Sequence, residues 1–145
     1  MNYGIVIKII GNLLLFEAAA LLLPLGVAFY YHEASYLDFI YTIIILVVLG
    51  GMMSKIPNPS EKIGSKEGLT IVASGWILVS LFGALPFVFD GSIPSMVDAF
   101  FETVSGLTTT GATILDNIEE LPRSILFWRS FTHWIGGMGI LVLTL

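Results

Sequence analysis

Hydrophobic residues fall into long blocks along this chain, and polar residues are gathered into the gaps between them. Four blocks reach or approach the roughly 20 residues that a helix needs to cross a hydrocarbon core. The first runs from Gly4 to Tyr31, its apolar core past Lys8 broken by Glu17 and Pro24. The second runs from Leu37 to Met53 through the β-branched-rich stretch Tyr41 to Val48, with Tyr36 and Tyr41 suited to the headgroup level. The third, Leu69 to Phe89, carries no charge. The fourth begins at Ser124 and is still apolar at Leu145. The N-terminal block is too long for a signal-peptide core and is followed by no small-residue cleavage site, so it is expected to stay in the mature protein.

Composition changes the picture only by hardening it. With 56% hydrophobic and 12% charged residues, the chain lies outside the range of water-soluble domains. The absence of cysteine removes disulfides, thiolate metal sites and cysteine nucleophiles. Net charge is −5, and its distribution says more than its size. Lys55, Lys62 and Lys66 share the loop 54–68 with Pro57, Asn58 and Pro59, and Lys8 precedes the first apolar core. The positive-inside rule therefore predicts a cytoplasmic N-terminus and a cytoplasmic 54–68 loop. Glu33, Asp38, Asp90, Asp98, Glu102, Asp116, Glu119 and Glu120 are expected on the other side. Taken singly such acids are solvated loop residues; together they would concentrate cations at an outer mouth.

A plain four-helix reading fails between the third and fourth blocks. Asp90 to Pro94 is turn chemistry, and Ser95 with Asp98 has the form of a capping box. Met96, Val97, Ala99, Phe100, Phe101, Val104 and Leu107 then predict a helix over 95–107, too short to span and too apolar for a solvated loop. It is expected to dip into the membrane and return. Backbone that leaves helical form at such depth survives only where protein buries it or water lies beside it.

After that helix comes Thr108, Thr109, Thr110, Gly111, Ala112, Thr113. The partly negative C-terminal end of the short helix favours a cation near Thr108. Gly111 permits an extended return, whose carbonyl oxygens would replace part of an ion's water shell. Potassium-channel filters use Thr-Val-Gly-Tyr-Gly loops in this way; residues 109–113 are a looser match, lacking the Tyr and the second Gly.

Longer motifs surround this run. Asp98-Ala-Phe-Phe-Glu-Thr-Val-Ser-Gly-Leu-Thr-Thr-Thr-Gly-Ala-Thr113 is followed by Leu121-Pro122 and by Phe127-Trp-Arg129-Ser-Phe-Thr-His-Trp-Ile-Gly-Gly-Met-Gly-Ile140. With Leu85-Pro86-Phe87 and two leading helices, the chain resembles the first pore repeat of the Trk/Ktr/HKT potassium transporters, most of all the N-terminal part of a bacterial Trk-type transmembrane subunit. The resemblance implies an all-α membrane protein. Two leading helices (1–53) and a cytoplasmic loop (54–68) would precede one repeat (69–145). That repeat comprises a transmembrane helix 69–89, a pore helix 95–107, a filter 108–113 and a transmembrane helix 124–145.

In such a protein four non-identical repeats surround one potassium path. The resemblance assigns Thr109, Thr110, Gly111 and Ala112 to the filter through main-chain oxygens, with Thr108, Thr113 and Arg129 supporting it. Potassium is the implied transported ion, with no organic cofactor. The implied partners are the bilayer, three further repeats, a second copy in a homodimer and a cytoplasmic nucleotide-binding regulatory subunit; nucleic acid is not among them. The implied location is the bacterial inner membrane. Since one repeat stands where four are needed, the chain is expected to be a fragment rather than a self-assembling quarter. Channel-like and ion-coupled flux both stay open.

Arg129 and His133, four apart, share a helical face. Arg129 is expected to pair with an acid such as Glu102, or with a pore-helix carbonyl, and so hold the loop, because a fixed cation beside a cation filter would repel the ion. His133 is read as an interhelical hydrogen-bonder, and Glu17 has no assigned role. Gly136, Gly137 and Gly139 point to close packing or a hinge. Two other classes compete with transport. One is an intramembrane serine protease built on Ser105 and His133, although Thr103-Val104-Ser105-Gly106 lacks a Gly two before the Ser. The other is an assembly subunit in which the Thr run only bonds helices together.

Overall fold

The computed structural model describes residues 2–57 and 63–144, with backbone alone for 140–144. Asn58, Pro59 and Lys62 of the expected cytoplasmic loop, and Leu145, lie outside the described residues. The chain forms α1 (Tyr3–Ala20), α2 (Leu22–Tyr30), α3 (Tyr36–Ser54), α4 (Ser65–Gly83), α5 (Leu85–Asp90), α6 (Met96–Leu107), a 3-10 turn (Ile118–Glu120) and α7 (Arg123–Thr144). No strand occurs among the described residues.

Two expected single spans are each two helices in series, and proline explains both breaks. Pro24 has no N–H to offer the carbonyl of Ala20 and crowds it, so α1 ends there and α2 starts past Leu21. Pro86 does the same to Phe82, ending α4 at Gly83. The carbonyl of Gly83 is left without the usual donor, because Phe87 N–H bonds Ala84 instead (3.2 Å). The indole Nε1 of Trp128 on α7 donates to it at 2.9 Å. One proline thus supplies the acceptor that docks α7 on the end of α4.

Among the described residues, three helical runs are long and apolar enough to cross a membrane: Tyr3–Tyr30, Tyr36–Ser54 and Ser65–Asp90. The expected fourth span, α7, has 22 residues but also carries Arg129, Ser130, His133 and three glycines. Its polar face turns toward α6, against which it packs.

The leading helices form their own bundle, with α1 against α3 and α4. Gly11 and Gly50 bring the α1 and α3 backbones together. A Cβ at Gly11 would lie 2.7 Å from Met53 Cβ, and one at Gly50 would lie 2.8 Å from the Gly11 carbonyl. Small residues at crossings are how helices gain van der Waals contact where lipid gives no hydrophobic drive. Leu14, Leu21, Phe39 and Leu46 fill the seam and are essentially inaccessible.

Two polar ties join this bundle to the repeat at one end. Glu33, between α2 and α3, caps α7: Oε1 accepts Arg123 N–H at 2.7 Å, and Oε2 accepts Ser124 N–H at 3.0 Å and Ser124 Oγ at 2.6 Å. Ser35 Oγ donates to Asp90 Oδ1 at 2.6 Å. The loops expected on one side of the membrane therefore meet, and Glu33, Asp90 and Glu120 line one recess. Partial desolvation pushes the Glu33 carboxyl up, but the Ser124 hydroxyl, the two N–H donors and the Arg123 charge together outweigh it and hold it below the usual carboxylate range.

Candidate functional site: the re-entrant loop

The helix α6 begins as its sequence demands. Ser95 is the N-cap and its Oγ accepts Asp98 N–H at 3.4 Å. From there α6 runs inward, and its last residue, Leu107, lines an apolar cavity of about 560 Å³ together with Leu13, Gly75 and Ile135. Leu107 itself is 3% exposed, so the short helix ends packed among its neighbours.

How it ends sets the shape of the loop. Thr110 N–H reaches back to the Ser105 carbonyl at 3.0 Å and Thr109 N–H to the Gly106 carbonyl at 2.9 Å. This nested pair is a Schellman cap, with Thr109 in the left-handed position that glycine usually fills. Thr109 has φ +56° and Gly111 φ +78°. A β-branched residue there is strained, at a cost of about 1–3 kcal/mol, and such strain collects at functional sites. The loop thus alternates hand at 109 and 111. Among the described residues no N–H or hydroxyl donates to the carbonyls of Thr109, Thr110 or Gly111, so these oxygens are free for an outside partner. Residues 108–113 are exposed.

A buried carboxylate holds the returning arm. Glu102 is 2% exposed, and its Oε1 takes Arg129 Nε at 2.6 Å. Thr113 Oγ1 donates to the same carboxylate at 2.9–3.0 Å, and Ile114 N–H reaches Oε2 at 3.2 Å. The helix α6, the return arm and α7 therefore meet at one group. Expected among the solvated outer acids, Glu102 is instead an interior clamp, and it is the acid that Arg129 pairs with. Thr108 bonds locally, to the Val104 carbonyl at 2.7 Å and to the Thr110 hydroxyl at 2.8 Å.

Ser105 is the second clamp. Its hydroxyl donates to the Ala112 carbonyl at 2.6 Å. Sequence reasoning met this residue only as a rival nucleophile; the signal that could have found it is a small buried hydroxyl one turn before the Thr108–Thr113 loop. His133 departs from its interhelical reading, because Nδ1 contacts the Arg129 carbonyl of its own helix at 3.0 Å.

The three glycines of α7 separate. A Cβ at Gly136 would fall 2.0 Å from the Leu107 carbonyl, so α7 passes against the very end of α6. Gly137 and Gly139 meet nothing nearer than 3.9 Å, from Thr109 and Trp76 respectively. Gly106 packs in the same seam, where a Cβ would lie 2.3 Å from Thr132 Oγ1. Behind α6, Glu17 is buried with no donor to either oxygen among the described residues, beside Gly83, the position where a Cβ would sit 3.0 Å from Oε1.

The chain is similar to proteins described as cation and potassium transporters. The family described as TrkH, cation transport protein, matches residues 33–145. The Trk system potassium uptake protein TrkH of Vibrio parahaemolyticus is 40% identical over 99% of this chain and 30% of its own length. The corresponding figures for the Trk system potassium uptake protein TrkG of Escherichia coli K12 are 36%, 96% and 29%. The crystal structure of the Vibrio parahaemolyticus potassium transporter TrkH superposes with a TM-score of 0.91 at 40% identity, covering 99% of this chain and 31% of that one. The chain thus spans about 30% of the length of the curated relatives it matches. With its fold and most of its length accounted for in this way, the chain belongs to the TrkH family of cation transport proteins.

Proposed function

We propose that this chain supplies one quarter of a potassium filter in a membrane uptake protein, and that Thr109, Thr110, Gly111 and Ala112 contribute the ion-facing main-chain oxygens. The observation that carries the reading is the set of free carbonyls at Thr109, Thr110 and Gly111, held at the C-terminal end of a short helix whose last turn is buried. Backbone dipoles in that position replace the hydration shell of a cation, and the helix end adds a favourable partial charge. Potassium is the ion named for the relatives. Thr108, Thr113 and Arg129 support the filter, and three further repeats complete the ring.

The remaining parts of the reading rest on the family likeness and on charge. Lys8, Lys55 and Lys66 favour a cytoplasmic N-terminus in a bacterial inner membrane. A homodimer and a cytoplasmic nucleotide-binding regulatory subunit are the expected partners, and no organic cofactor is needed. The role is transport rather than catalysis. Ser105 Oγ is committed to a carbonyl and His133 Nδ1 to another, which speaks against a serine nucleophile.

The test is Gly111→Ser in the complete transporter containing this segment. With φ at +78°, a side chain at 111 strains the loop, and discrimination of potassium over sodium is expected to drop severalfold. An unchanged ratio defeats the filter assignment.

A further inference from the structure

We infer that Ser105 is a positioning residue for the filter, fixing the carbonyl of Ala112 and thereby contributing to ion discrimination. This rests on the filter reading above. Hydroxyls elsewhere on or next to α6 are spent locally: Thr103 Oγ1 donates to the Ala99 carbonyl at 2.8 Å and Thr108 Oγ1 to the Val104 carbonyl at 2.7 Å, each one turn back. Ser105 instead reaches forward seven residues, across the turn, to Ala112 at 2.6 Å. Its own carbonyl meanwhile receives Thr110 N–H at 3.0 Å and Gly111 N–H at 3.5 Å. A single residue therefore fixes two successive peptide N–H groups and the carbonyl that follows them.

The consequence follows from what else could hold that carbonyl. Gly111, on one side, is conformationally permissive. Thr113, on the other, is anchored to Glu102 by its hydroxyl and, one peptide further on, by Ile114 N–H, and its own N–H takes no part. The peptide between Ala112 and Thr113 is thus restrained chiefly by Ser105. A carbonyl oxygen accepts two bonds, so one lone pair held by the Ser105 hydroxyl leaves the other for an ion. Ser105 is 4% exposed, and exclusion of water strengthens the bond. Without it the oxygen rotates more freely and adapts to ions of other radii.

The experiment is rubidium uptake into proteoliposomes by the complete transporter, with sodium as competitor. Ser105→Ala is expected to lower discrimination against sodium about three- to tenfold, the range of one lost hydrogen bond, while uptake persists. Thr103→Val removes an equally buried hydroxyl that never touches the filter, and is expected to keep the wild-type ratio. Ser105→Cys, a similar shape with a weaker donor, is expected between wild type and Ser105→Ala, and decides the matter if Ser105→Ala does not reach the membrane. A wild-type ratio in the Ser105 variants overturns the inference, as does an equal loss in Thr103→Val. Gly111→Ser, measured alongside, separates the two levels of failure: if it shifts the ratio and Ser105→Ala does not, only the role of Ser105 falls, and if neither shifts it, the filter reading falls as well.

Discussion

The leading bundle of α1 to α3 and the repeat formed by α4 to α7 are both made of apolar helices, yet different forces hold them. In the bundle the decisive contacts are backbone against backbone at Gly11 and Gly50, with Leu14, Phe39 and Leu46 between. In the repeat they are directional: Arg129 and Thr113 on Glu102, Ser105 on Ala112, Trp128 on the Gly83 carbonyl. Van der Waals packing suffices to keep two helices adjacent. It cannot dictate where one carbonyl oxygen lies in a loop without regular hydrogen bonds, and a satisfied polar network can. The polar residues of this membrane chain are concentrated where position, rather than mere cohesion, is required.

The contrast breaks most readily at Glu102. Glu102→Ala strands a largely buried guanidinium and releases both Thr113 and Ile114, at a cost approaching about 3–5 kcal/mol for the lost partner. Loss of folded transporter from the membrane and of growth at limiting potassium is the expected result. Glu102→Met with Arg129→Leu removes both charges, and its cost in a detergent melt is expected to be well below the sum of the single losses. Additive losses would mean that the pair does not act as a unit.

Next in size is the seam of α7 on the pore helix. Gly136→Ala puts a methyl group 2.0 Å from the Leu107 carbonyl and is expected to abolish or sharply reduce transport, since backbone must shift at the foot of the proposed filter. Gly137→Ala has room and should be nearly silent. A strong effect at Gly137 would restore the hinge reading for this glycine cluster. On the other side of the comparison, Gly11→Ala drives a methyl group to within 2.8 Å of the α3 backbone, an overpacking worth about 1–3 kcal/mol. It is expected to lower melting temperature and membrane abundance while the potassium-to-sodium ratio of the surviving protein stays at wild type. A changed ratio would show that the bundle tunes the filter after all.

These two regions were also unequally legible. Apolar block lengths place the helices, and Ser95 with Asp98 places the start of α6, because those signals are local. Pro24 and Pro86 sit in plain view, but hydropathy averages over them, so the breaks at Leu21 and Ala84 are lost in a block count. The site is harder for a physical reason. Glu102 meets Thr113 and Ser105 meets Ala112 across a non-helical turn, where no period relates the partners. Thr109 adopts a conformation that its residue type disfavours, so propensity points the wrong way there. His133 shows the opposite error: a polar residue in a membrane helix suggests a partner on another helix, and the nearby Arg129 carbonyl satisfies it instead.

The smallest expected effect lies at the joint between the regions, where Glu33 caps α7. Its carboxyl is held below its ordinary range in the folded chain, so the folded state binds the proton less readily than the unfolded one. The cap's contribution is therefore complete above the unfolded value, about pH 4.3 for a glutamate, and is lost as pH falls through the lower folded value. A cap of this kind contributes about 0.5–2 kcal/mol, less where the group is solvent-screened, as this half-buried carboxylate is. Hydrogen exchange at the first turn of α7, above all at the Arg123 and Ser124 amides, should accelerate as pH falls below that unfolded value and through the lower folded one, after correction for intrinsic rates. In Glu33→Gln the amide oxygen still accepts one of these bonds but has no charge to lose, so the acid-dependent part of the acceleration should vanish. If the wild type and Glu33→Gln respond to acid alike, the tie between bundle and repeat is not electrostatic, and the Tyr31 ring stacked 4.5 Å from the Arg123 guanidinium becomes the contact to remove.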